Sequence, residues 1–293
     1  MPEQPAAGTI YDLGYQHYSG ARLGRPSVMR ALAGFSYRTA FGTGRGQKAQ
    51  VVPFIVAILV TAPMVVRIGI AGVTGQSQII NYAQHLDFVA FFLALFAAAQ
   101  APEVLVADRQ SGALSLYLSR SLSALDYVLA KLFAFFGALL VLTLGPVLGM
   151  FAGKIFLSES PWQAFLDNYK VLTPMVGGTV LMALYLAAIG LAIAAFTSRR
   201  AYASAAVIGF FVLLPAFAGI AGQLATGSAR RYMVLGNPFL VMNGFVGWLF
   251  DLQADSRFVV QAGLKPELYL YVMLGTCAVA LTVLLLRYRR AEA

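Results

Sequence analysis

Residues able to do chemistry are few in this chain, and they do not gather into a catalytic pattern. Its two histidines stand far apart: His17 lies in the polar N-terminal segment and His85 lies beside Asp87. Lipid-modifying enzymes of membranes need paired carboxylates or a His–acid cluster, and no Asp-rich motif repeats here. The single cysteine, Cys277, sits inside an apolar stretch, which excludes a disulfide framework and a cysteine-based metal site. The run "GTGRGQK" at 42–48 superficially evokes a phosphate loop. However, Gly46 is not followed by Lys-Ser/Thr, and no strand precedes it. The reading is therefore that the chain carries no catalytic, cofactor-binding or metal-binding residues of its own. Two sets of charges remain to be placed: Arg67 with Asp87, and Glu103, Asp108, Arg109 and Arg120.

The elements that must position these charges are apolar. The chain is 59% hydrophobic and 11% charged over 293 residues. Soluble domains carry about 25% charged residues, so this is a membrane composition. Six stretches reach the roughly 20 residues needed to cross a bilayer: 51–73, 86–102, 124–151, 171–196, 202–224 and 266–286. The expected fold is all-α and polytopic, with six transmembrane helices. A further apolar run at 233–250 is broken by Asn237-Pro238 and Asn243-Gly244, which favours a re-entrant segment over a seventh span.

Net charge is +9, but its distribution argues against nucleic acid as a partner. Fourteen of the 21 basic residues fall before the first span, between spans two and three with Lys131, between spans four and five, or after span six. Six lie on the opposite side, and Arg67 lies within span one. By the positive-inside rule both termini are expected in the cytoplasm of a cell-membrane protein. Counting from Val51, Arg67 stands roughly 24 Å along span one, near the far edge of a core about 30 Å thick. Asp87 enters span two at a similar depth, so either the two form an intramembrane pair or Arg67 snorkels outward to the headgroups.

Pro26-Ser27 reads as a helix start with Ser27 as its N-cap. The basic, modestly apolar stretch that follows, with Val28, Leu32 and Phe35 on one stripe, suits a helix lying in the membrane interface. Pro102–Lys131 follows span two, with Gly112 as its break and leucines at 114, 118, 122 and 125 along one face. Ser123 and Asp126 have the spacing of a capping box opening span three. Lys131, a turn or two inside that span, is expected to snorkel back to the headgroups. The loop reads either as a solvated connection or as a docking surface for a soluble partner.

The ordered pattern of these features resembles the type-2 ABC transporter permeases across nearly the whole chain. Its most specific piece is "ADRQSGALSLYLSRSLSALDYVLAK" at 107–131, an acidic-Arg-x-x-Gly followed by a leucine-serine run and a Lys. "TSRRAYA" at 197–203 and "NPF" at 237–239 are similar to that family too. Many of its members carry Glu where this chain has Asp108, and a Pro where it has Ser121 or Leu122.

The resemblance implies a non-catalytic transmembrane subunit of an ATP-driven exporter. It would pair with a separate ATP-binding ABC subunit and with a second permease copy, as a homodimer or with a paired homologue. It further implies that Glu103, Asp108, Arg109, Gly112, Tyr117 and Arg120 form the coupling contact with the ATPase. The expected organisation is a cytoplasmic tail and interfacial helix at 1–49 and a six-span domain at 50–287. That domain would carry a coupling loop at 102–125 and a re-entrant or external segment at 225–265, before a cytoplasmic tail at 288–293. Membrane lipids would surround it. A secondary transporter would show internal repeats and intramembrane carboxylates at broken helices, which are not evident here. A channel has no distinguishing mark in the sequence, so either remains the alternative.

Overall fold

The computed structural model describes residues 24–114, 117, 122–251 and 257–292. Arg120, with Tyr11, Tyr15, Tyr18 and His17 of the N-terminal segment, lies outside the described residues. Among those described no strand occurs, and six helices are long and apolar enough to cross a membrane. A short helix α1 (Arg25–Ala40) precedes the first three spans, α2 (Gly46–Thr74), α3 (Tyr82–Gln110) and α4 (Ala124–Phe156). Helix α5 (Pro161–Asn168) leads into the fourth span, α6 (Leu172–Ala194), and α7 (Arg200–Leu224) is the fifth. Short helices α8 (Gly227–Met233), α9 (Pro238–Leu249) and α10 (Arg257–Ala262) precede the last span, α11 (Glu267–Glu292).

Local signals account for some of the helix ends. Asn81 caps α3, its side-chain oxygen accepting from the Gln84 N–H at 3.1 Å. Ser123 and Asp126 form the expected reciprocal capping box at the start of α4. At α1 the start lies three residues earlier than expected: Gly24 is the N-cap, Pro26 sits in the first turn, and the Ser27 N–H bonds the Gly24 carbonyl at 3.0 Å. Its expected apolar stripe also divides. Leu32 is buried, whereas Phe35 is exposed.

The largest boundary difference is at span two. Apolarity fails after Pro102, but the helix continues to Gln110. Glu103, Asp108 and Arg109 therefore stand on the last turns of a spanning helix and not in a loop. The connection begins at Ser111, and Gly112 takes the left-handed conformation (φ +72°) that lets the chain leave the helix.

Burial separates central from peripheral spans. In α3, 72% of the most apolar window is buried, and in the α5–α6 segment 67%, against 17% in α2 and 11% in α7. Helices α3, α4 and α6 thus form the core, with α7 laid on α3 and α2 laid on α4 and α3. The close approach of α2 to α4 falls at Gly149 and Gly153, which face Met64 and Ile68. Helix α9, at 12 residues, covers about 18 Å at 1.5 Å per residue and cannot cross a core about 30 Å thick. It packs instead against α3 and α11, near the end opposite α1.

Candidate functional site

At the end of the bundle that carries α1, three sets of charged groups tie the helices together. The first centres on Glu103 of α3. Its Oε2 accepts from Arg45, in the turn between α1 and α2, and from Arg200 Nη1 at 2.7 Å, in the first turn of α7. Arg45 also donates to the Thr39 carbonyl at 2.7 Å, and Arg200 Nε donates to Gln110 Oε1 at 2.9 Å. One carboxylate therefore joins three elements that are distant in sequence.

The second set is buried. Asp108 Oδ2 lies 2.7 Å from Lys131 Nζ of α4 and accepts from the Tyr127 hydroxyl at 3.0 Å. Lys131 donates in addition to the Val104 carbonyl at 2.8 Å. Asp108 is 5% and Lys131 1% exposed, so Lys131 does not snorkel to the headgroups as expected. A carboxylate one helix away satisfies it where it stands, at the cost of desolvating both charges. Neighbouring Arg109 donates to the Ala195 carbonyl at 2.6 Å and stacks over the ring of Tyr288, 4.8 Å from its centroid. Tyr288 in turn packs on Tyr127 with ring centroids 5.0 Å apart. The end of α3 is thereby locked to α4, α6 and α11.

The third set fixes α1. Arg25 Nε donates to Asp126 Oδ2 at 2.7 Å, and its Nη2 donates to Ser123 Oγ at 3.2 Å. The capping box of α4 is thus also the anchor of α1. Between these roots runs the connection from Ser111 to Ser123. Tyr117, half-buried within it, packs its ring on Tyr127 with centroids 6.3 Å apart. Its phenol is held above the ordinary pKa, first by burial and then by the Asp108 carboxylate.

The opposite end holds Arg67 and Asp87. Arg67 Nη1 donates to the Ile79 carbonyl at 3.1 Å, and Asp87 Oδ2 accepts from Asn243 Nδ2 of α9 at 2.5 Å. Asn243 is a partner that sequence reasoning did not name; it pins α9 to α3. Helix α9 is itself opened by Asn237, whose side-chain oxygen accepts from the N–H groups of Phe239 and Leu240.

Of the residues that sequence reasoning selected, Glu103, Asp108, Arg109, Gly112 and Tyr117 lie at one end of the bundle, and Arg120 is outside the described residues. It missed the roles of Arg25, Arg45, Lys131, Arg200 and Tyr288. Among the described residues no group of three His, Cys, Asp or Glu is gathered that could hold a metal ion. The convergence is mechanical: a short connection suspended from α3 and α4, with every charged group at its roots bonded to another helix. Six helices long and apolar enough to cross a membrane make this a polytopic membrane protein. Residues 7–293 match the family model described as ABC-2 family transporter protein, and the chain belongs to that family. It is accordingly a transmembrane component of a transporter. No curated protein matches the chain significantly.

Proposed function

We propose that this permease is the transmembrane subunit of an ATP-driven exporter. It works with a separate ATP-binding subunit and a second permease copy in a cell membrane, with both termini cytoplasmic. The observation that carries the reading is the braced connection between α3 and α4, in a chain whose family is that of ABC-2 transporters. The bias of basic residues toward that end supports its cytoplasmic placement. Closure of the ATPase on ATP pushes the connection at Gly112, Tyr117 and Arg120. Asp108–Lys131 passes the displacement to α3 and α4, Glu103 passes it to α2 and α7, and Arg25–Asp126 links α1 to the same movement. The permease itself forms and breaks no covalent bond.

The test is purification of the tagged chain from its native membrane in mild detergent, with identification of what accompanies it. A stoichiometric ATP-binding subunit is expected, lost or uncoupled in Arg120→Glu and Tyr117→Ala while the permease still inserts. Asp108→Arg is unsuitable, because it would place a second cation against buried Lys131. A chain that purifies alone in several detergents, and transports in vesicles without ATP, would replace this reading with a secondary transporter or channel.

A further inference from the structure

A cavity of about 590 Å³ opens between the last turns of α7 and the short helices α8, α9 and α10, at the end opposite the braced junction. Its volume is within the range that accommodates small-molecule ligands. One wall is the face of α7 that carries Ala218, Gly219 and Gly222, where small side chains leave a groove. The opposing wall carries Arg230 and Arg231 of α8, and no Asp or Glu is among the described residues that line the cavity. Neither arginine is ion-paired to a carboxylate among the described residues. Gln223 and Gln261 add amide donors. Asn237 has its side-chain oxygen committed to the backbone of α9, leaving its NH2 group as the part able to bond a ligand.

Two further facts narrow the ligand. The arginines stand on the short helix that follows the end of a spanning helix, on the side where basic residues are depleted. In line with Gly219, seven and eleven residues back along the same face of α7, Val212 and Ile208 are exposed and apolar, a surface suited to acyl chains. We propose that the cavity binds an anionic phospholipid. Its phosphate sits between Arg230 and Arg231, its glycerol region sits over Gly219 and Gly222, and its chains run down the exposed face of α7. The inference rests on the membrane-spanning fold and not on the ATPase partner.

The experiment uses the full-length permease as it comes from the membrane, alone or with its partner. Native mass spectrometry reads its retention of added phosphatidylglycerol against phosphatidylcholine. Wild type should retain phosphatidylglycerol about tenfold better, as expected for two arginines near a headgroup. R230Q/R231Q should lose that preference and R230K/R231K should keep it. Gly219→Phe places a ring where an added Cβ meets nothing within 4 Å, so it should fill the groove without straining α7. It should lower phosphatidylglycerol retention with both arginines intact, which separates a built site from general attraction to a basic protein. Equal retention of the two lipids by wild type overturns the proposal, as does an undiminished preference in a folded Gly219→Phe protein. Displacement of the lipid by excess inorganic phosphate also overturns it, since the site would then take a free anion and no amphiphile.

Discussion

The Lys131 ammonium is held by the Asp108 carboxylate at 2.7 Å and by the Val104 carbonyl at 2.8 Å, with almost no exposure to solvent. Removing one member of such a pair strands the other charge in low dielectric, which costs about 3–5 kcal/mol, whereas replacing both is often close to neutral. Lys131→Met alone should therefore unfold the purified protein at a clearly lower temperature, and Asp108→Asn with Lys131→Met should recover most of the loss. If the double variant is no more stable than the single, the pair is not the isolated unit that its geometry describes. This comparison also separates two roles of Asp108. A stable double variant with a weakened response to the ATPase would mark the charge itself as part of the coupling. The pairing with Lys131 was not legible from the local sequence, which offered Lys131 only a route to the headgroups. Its partner lies on a different helix, and no periodicity within α4 reports on α3.

Helix α1 shares a carboxylate with the capping box of α4. Ser123 and Asp126 satisfy the first N–H groups of α4, and the same Asp126 carboxylate receives Arg25. Asp126→Ala removes both contacts. Loss of a cap costs about 1 kcal/mol, while the exposed Arg25 adds little beyond it. The larger expected effect is on motion: amide exchange should accelerate in α1 and at the start of α4, and stay unchanged in α6. Uniform acceleration would mean that Asp126 supports the whole bundle and not this joint. The box itself was readable, because its two residues are three apart and report only on local backbone. So were the six spans, from apolar length; Asn237-Pro238 was expected as a break and instead opens α9, which runs unbroken through Asn243-Gly244. The end of α3 was not, because hydropathy drops at Glu103 while the helix persists. Arg45 and Arg200 supply from distant parts of the chain the partners that keep that carboxylate in place. The same limit hid Asn243, whose amide reaches Asp87 from the other end of the sequence.

Across the whole molecule the spans are unequally covered, and the imbalance bears on how two copies would meet. Helices α3, α4 and α6 bury one another, while α2 and α7 leave most of their apolar surface outward. A lipid-facing surface and a partner-facing surface are both apolar, so composition alone does not choose between them. Position does: α2 and α7 both lie against α3 and are joined at their basic ends through Glu103. A displacement of α3 therefore moves α2 and α7 together, as a pathway wall between two copies would require. Cys277 is buried and is the chain's only cysteine, so a Cys277→Ala background permits single-cysteine crosslinking. Leu213→Cys on α7 and Phe54→Cys on α2, both at exposed positions, test the two faces. At least one should give a dimer in native membranes on mild oxidation, while Phe133→Cys, exposed on α4, should remain monomeric. The opposite pattern would put the partner copy on the α4 face. The wall that α3 moves would then be lined by lipid, and a push at the Ser111–Ser123 connection would open no pathway between copies.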